Sequence, residues 1–141
     1  MKLKEIMTRD VEVIHPHDSL QTAAQKMRDR DIGFLPVCDG DRLVGVVSDR
    51  DIIVRVIAEG MDPKAMIERD LVTAPVIYCF EDQDVDEAAR IMQENQIRRL
   101  VILNRDKRLV GIVSLGDLAR NRPADRSGEV LQSVSEPDGT R

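Results

Sequence analysis

Aromatic residues are almost missing from this chain of 141 residues, which has one Tyr, two Phe and no Trp. Phe34, Tyr78 and Phe80 are too few to build the row of rings on which unpaired bases stack, so a single-stranded nucleic-acid platform is excluded. Positive charge is not in excess: 21 Lys and Arg stand against 26 Asp and Glu, for a formal net charge of −5. No dominant basic face is available for nonspecific DNA or an anionic membrane. The start of the chain, Met1 to Met7, is short and charged, and no apolar run is long enough for a signal peptide or a membrane span. The expectation is a soluble cytoplasmic protein.

Reactive side chains are scarce as well. Cys38 and Cys79 lie in apolar strand-like runs with no Cys-x-x-Cys spacing, which favours buried thiols over a disulfide or a metal site. His15 and His17 flank Pro16 at a turn, and no third ligand clusters near them in sequence. There is no Ser-His-Asp set and no phosphate-cradling Gly-rich loop. The reading is a non-enzyme, with no catalytic residue, no metal and no required cofactor. Its length suits one compact domain, able to bury roughly 70% of its unfolded surface.

What the chain does have is repetition. Thr8, Val11, Ala23, Ala24, Met27, Ile32 and Leu35 recur at one constant offset as Thr73, Val76, Ala88, Ala89, Met92, Ile97 and Leu100. After one extra loop residue, Arg42, Leu43, Val44, Gly45, Val47, Ser48 and Asp51 recur as Arg108, Leu109, Val110, Gly111, Val113, Ser114 and Asp117. Two halves of one fold unit follow. We divide the chain into a first repeat at 1–60, a linker at 61–68, a second repeat at 69–121 and a polar tail at 122–141.

Each half reads as strand, helix, strand, strand, helix. Val11 to Ile14 precedes Pro16, and Ser19 is placed to cap a helix carrying Leu20, Ala23, Ala24 and Met27 at helical spacing. Asp84 and Glu87 have capping-box spacing ahead of Val85, Ala88, Ala89 and Met92. Strands follow at Phe34 to Cys38 and Leu43 to Val47, and again at Leu100 to Leu103 and Leu109 to Val113. The apolar runs suit central strands covered on both faces, so neither half should be stable alone. A helix over Arg50 to Glu59 stops at Gly60. In the tail, Val130, Leu131 and Val134 have the spacing of a short amphipathic helix.

The most informative constellation is Gly45-Val46-Val47-Ser48-Asp49-Arg50-Asp51, matched by Gly111-Ile112-Val113-Ser114-Leu115-Gly116-Asp117. Each puts a hydroxyl and a carboxylate where a buried strand enters a helix. Ser-x-x-Asp has the spacing of a capping box, in which both side chains satisfy free amides of the first helical turn. Two copies in register also suit a ligand site, and both readings stand at this point.

With Ile32-Gly33-Phe34-Leu35-Pro36-Val37 before the first motif and Ile97-Arg98-Arg99-Leu100-Val101-Ile102 before the second, the chain resembles stand-alone bacterial tandem cystathionine-β-synthase (CBS) domains over about residues 1–121. The resemblance implies a mixed α/β (α+β) fold of two β-α-β-β-α repeats, packed with pseudo-twofold symmetry around two clefts. It also implies a homodimer, adenosine-containing regulatory ligands such as AMP, ADP, ATP or S-adenosylmethionine, and a signal passed in trans to an unknown protein effector. Carried over by position, Asp51 and Asp117 would accept from ribose hydroxyls, and Ser48 and Ser114 would contact sugar or phosphate. Adenine would lie near Thr8 and Val11 or Thr73 and Val76.

Arg98 and Arg99 stand where the first repeat has Gly33 and Phe34, and the resemblance assigns them to a phosphate in the cleft bearing Asp51, leaving Asp117 beside Gly33 for a less charged ligand or none. The alternative for the two arginines is a solvated pair offset by Glu81, Asp82 and Asp84. Arg50 reaches phosphate or pairs with Asp49. The second motif departs from the pattern at Val101, where the first repeat has Pro36, and at Gly116, which loosens the helix start. The rival functional class is a nucleotide-independent dimeric scaffold whose Ser-x-x-Asp motifs only cap helices.

Overall fold

Small and apolar residues at helical spacing set the two long helices, α1 (Leu20–Arg30) and α3 (Val85–Asn95). The computed structural model describes residues 1–67, 72 and 75–121; Thr73 and the tail, with its expected amphipathic stretch, lie outside these. α1 buries Leu20, Ala23 and Met27, and α3 buries Val85, Ala88, Ala89 and Met92. Ser19 caps α1 as expected, its hydroxyl accepting from the Thr22 amide at 3.0 Å. The capping box expected at α3 does not close. Asp84 accepts from the Asp86 amide at 2.8 Å, while Glu87 accepts from Gln83 Nε2 at 2.6 Å. The start of the chain intervenes there, the Val85 amide donating to the Met1 carbonyl at 2.9 Å and the terminal amine lying 3.4 Å from Asp84.

In the first repeat β1 (Phe34–Asp39) pairs antiparallel with β2 (Arg42–Ser48), Phe34 opposite Ser48. In the second, β3 (Tyr78–Phe80) runs parallel to β4 (Arg99–Leu103), which pairs antiparallel with β5 (Leu109–Ser114), Arg99 opposite Ser114. The strand expected at Val11 to Ile14 shrinks to a single parallel bridge between Ile14 and Val37. Two donors are missing: Pro36, where the second repeat has Val101 paired with Tyr78, offers no N–H on the near side of the bridge, and a second proline offers none beyond it. Where the Glu81 amide extends the second repeat's ladder to the Leu103 carbonyl at 2.9 Å, the matching residue is Pro16, which has no N–H.

The strand-to-helix turns lead into α2 (Asp49–Ile53) and α4 (Leu115–Arg120). α2 continues as a π turn over Val54–Ala58, so the expected helix is present but widens. Gly60 ends it at φ 69, a left-handed value, and the Met61 amide closes back on the Arg55 carbonyl at 2.9 Å.

The compact units cut across the sequence repeats. Glu12–Val76 forms one, and Met1–Val11 joins the chain from Ile77 onward to form the other. In the latter, a 3₁₀ turn over Leu3–Glu5 is stitched to the second repeat: the Leu3 amide donates to the Gln83 carbonyl and the Lys4 amide to the Glu81 carbonyl, each at 2.9 Å. Leu3 and Met7 then bury themselves with Cys79, Met92, Leu100, Ile102, Val113 and Leu118. The interrepeat segment does the same for the first repeat. The Ile67 amide donates to the Asp18 carbonyl at 3.0 Å, and Ile67 joins Ile14, Leu20, Met27, Leu35, Val37, Val47 and Ile52 in the other core.

Candidate functional site

The two Ser-x-x-Asp turns sit where the sequence placed them, and both close as capping boxes. In the first, the Asp51 amide donates to Ser48 Oγ at 3.2 Å, and Asp51 Oδ2 accepts from Ser48 Oγ at 2.8 Å and from the Ser48 amide at 3.4 Å. In the second, the Asp117 amide donates to Ser114 Oγ at 3.0 Å and Asp117 Oδ2 accepts from the Ser114 amide at 2.9 Å. The local cause is general: a helix start leaves amides without partners, and these side chains supply acceptors. Capping engages one carboxylate oxygen of each Asp. Asp51 Oδ1 has no hydrogen bond to any described residue, whereas Asp117 Oδ1 accepts from Arg120 Nη2 one turn along. Arg120 is the residue that sequence reasoning passed over, although its i,i+3 spacing from Asp117 was readable.

The exchange of N-terminal segments settles which candidates share a unit. Thr8, Val11, Arg98, Arg99, Ser114 and Asp117 lie in one, and Gly33, Ser48, Arg50, Asp51 and Val76 in the other. Thr8 is bridged to Ile112, just before the Ser114 turn. Its amide donates to the Ile112 carbonyl at 2.9 Å and the Ile112 amide donates to the Thr8 carbonyl at 3.0 Å. The Thr8 residue is exposed. Val11 and Val76 are half-buried. Gly111 admits this segment: a Cβ there would stand 2.6 Å from Met7 Sδ and 3.0 Å from the Thr8 carbonyl oxygen.

Within each unit the residue before the central hairpin touches the turn through its backbone. The Asp49 amide donates to the Gly33 carbonyl at 2.9 Å and the Leu115 amide to the Arg98 carbonyl at 2.8 Å. A Cβ at Gly33 would lie 3.1 Å from Asp49 Oδ2, so an acid occupies that corner of the first turn. Asp49 Oδ1 accepts from the Arg50 amide at 2.8 Å, and the Arg50 side chain is exposed. Arg98 and Arg99 are exposed too. Of the acids named as their counterweights, Asp82 is held by Arg105 at 2.8 Å and Asp84 by the terminal amine. The pairing expected from the family's packing, Arg98 or Arg99 with Asp51 and Asp117 with Gly33, joins residues of different units and stays a proposal.

The remaining chemistry is quiet. Both cysteines are buried free thiols. Burial, aided by the negative charge of Glu87, pushes the Cys79 thiol up to about 11, and burial raises Cys38 likewise, so neither is a thiolate at neutral pH. His15 Nδ1 lies 2.8 Å from the Cys38 carbonyl, its ring stacked on His17. Among the described residues, no three His, Cys, Asp or Glu side chains are grouped to hold a metal, and no helix is long and apolar enough to cross a membrane.

Fold and turns together define a tandem-repeat, mixed α/β protein with one strand-to-helix Ser-x-x-Asp turn per unit. Residues 3–58 and 67–123 match the CBS domain, and the chain belongs to that family. It is 36% identical over 135 residues to Hypoxic response protein 1 of Mycobacterium tuberculosis, covering 95% of this chain and 94% of that protein. A crystal structure of Hypoxic Response Protein I with two coordinated zinc ions matches at TM-score 0.77 and 38% identity, over 87% of this chain and all of that one. CBSX2 in complex with AMP, a protein of Arabidopsis thaliana, matches at TM-score 0.72 and 27% identity, over 85% and 94% of the two chains. The CBS domain pair of MJ0100, in complex with 5′-methylthioadenosine and S-adenosyl-L-methionine, matches at TM-score 0.73 and 29% identity, over 86% and 94%.

Proposed function

We propose that this protein is a regulatory module, not an enzyme, that binds adenosine-containing ligands of the AMP, ADP or ATP kind at its Ser-x-x-Asp turns and signals in trans to another protein. The observation that carries this reading is the duplicated turn, which in the first copy keeps a carboxylate oxygen, Asp51 Oδ1, without a bond to any described residue while Oδ2 holds the cap. One ionised oxygen facing a vicinal diol takes charge-assisted hydrogen bonds while the helix start stays satisfied. AMP bound by CBSX2, and 5′-methylthioadenosine with S-adenosyl-L-methionine bound by MJ0100, support the ligand class. Arg98 and Arg99 are assigned to the phosphates. A reducing, cytoplasmic compartment suits the two buried thiols.

Thermal scanning with AMP, ATP and S-adenosylmethionine tests the reading. A ligand that binds only the folded chain adds about 2.7 kcal/mol at 100 times its Kd, a rise on the order of 10 °C in Tm. Absence of any shift with all three rejects it in favour of the scaffold.

Homodimerisation belongs to the same proposal. Ile53 and Ile57, one turn apart on the helix that follows the first turn, are 59% and 76% exposed, with Val54 beside them at 42%. An aliphatic row is complementary to itself, as a twofold interface requires. Ile57→Glu is expected to convert dimer to monomer in sedimentation velocity; a parent that is already monomeric at tens of micromolar removes this part of the proposal.

A further inference from the structure

The two turns differ at one electrostatic point. Asp117 Oδ1 is taken by the guanidinium of Arg120, and the Asp117 side chain is only 14% exposed while that of Arg120 is 70% exposed. A solvent-exposed cation therefore sits on the one oxygen that capping leaves over. Gly116 makes room for it: a Cβ there would stand 3.3 Å from Arg120 Nη1. The first repeat lacks both parts of the device, since Arg50 holds the place of Gly116 and Val54 that of Arg120. The cation one turn along from Asp51 is Arg55, and it pairs with Glu59 at 2.8 Å.

We infer that Arg120 is a specificity-determining gate on the second turn, biasing Asp117 against neutral nucleosides. The inference rests on the proposal that the turns bind ribose. A diol that reaches Asp117 Oδ1 must displace the guanidinium, exchanging an ion pair for hydrogen bonds from neutral hydroxyls. An anionic ligand meets the same gate with a charge that the displaced guanidinium can take up. The second turn thus binds adenosine more weakly than the first and discriminates more strongly in favour of phosphorylated ligands.

The test is calorimetric titration of the full chain with adenosine in an Asp51→Ala background, so that only the second turn is read. Arg120→Val, which copies the first repeat, is expected to tighten adenosine about threefold to fivefold, the range of a partly exposed ion pair. With Arg120 present, adenosine binding is expected to strengthen as KCl is raised from 20 mM to 500 mM, because salt screens the pair and not the uncharged ligand. That salt response should vanish in Arg120→Val and survive in Arg120→Lys, an outcome that loss of helix packing alone does not produce. Equal adenosine affinity and equal salt response in Arg120→Val and its parent overturn the gate, provided a further Asp117→Ala change abolishes the binding. If adenosine and AMP bind unchanged with Asp51 and Asp117 both replaced by Ala, the ribose reading falls and the gate with it.

Discussion

Leu3→Ala is expected to unfold the unit that contains the second repeat and leave the other unit's protection in place. Leu3 is fully buried, and its neighbours Cys79, Met92, Leu100, Ile102 and Val113 come from the far end of the sequence. Truncating a leucine at such a site removes its transfer free energy and leaves a cavity, about 2–5 kcal/mol together. For a unit of this size that is a fall in Tm on the order of 10 °C or more. The backbone bonds of Leu3 and Lys4 to Gln83 and Glu81 hang on the same segment, so fraying of residues 1–8 also frees the carbonyls of the turn between β3 and α3. Hydrogen exchange read residue by residue checks this: amides of Cys79, Ile102 and Val113 should lose protection while those of Val37 and Val47 keep theirs. Ile14→Ala is the mirror control, because Ile14 is buried among Leu20, Leu35, Val37 and Ile67. Loss of protection at Val37 and Val47 in Leu3→Ala would show instead that the two units unfold together, as expected where neither half is stable alone.

That exchange of segments shows where sequence reading stops. The helices were legible because Ala23, Ala24 and Met27, and their counterparts Ala88, Ala89 and Met92, write a helical period with a cap in front. The hairpins were legible because apolar runs alternate with polar turns. Leu3, Ile6 and Met7 form too short a segment to carry a period, and their destination is set by hydrogen bonds to residues far along the chain. Pro16 was visible, but its effect depends on the ladder it fails to join, which needs Glu81 and Leu103 for comparison. At the turns the limit is different in kind. Ser-x-x-Asp has one spacing for two jobs, and only coordinates reveal that Oδ2 is engaged in the cap while Oδ1 of Asp51 and Oδ1 of Asp117 meet different fates.

On the proposed reading, ligand binding uses Oδ1 of Asp51 while the cap uses Oδ2, so the two roles can be separated by substitution. In an Asp117→Ala background, Asp51→Ala is expected to weaken adenosine and AMP alike by about tenfold to a hundredfold. The range follows from about 1.5–3 kcal/mol for hydrogen bonds to an ionised acceptor, at about 1.4 kcal/mol per factor of ten. The same change removes an acceptor from the helix start and lowers stability by about 1 kcal/mol. Asp51→Asn divides the two effects. Its amide oxygen still accepts from Ser48, so the melting temperature recovers, but the charge and the second acceptor are gone, so nucleotide affinity stays low. Ser48→Ala gives the reverse pattern, with stability lost and affinity reduced less. Titration calorimetry alongside thermal melts reads both quantities on each variant. Should Asp51→Asn and Asp51→Ala bind AMP as tightly as their parent while only the alanine variant melts early, Asp51 is a cap and nothing more, and the scaffold is the function that remains.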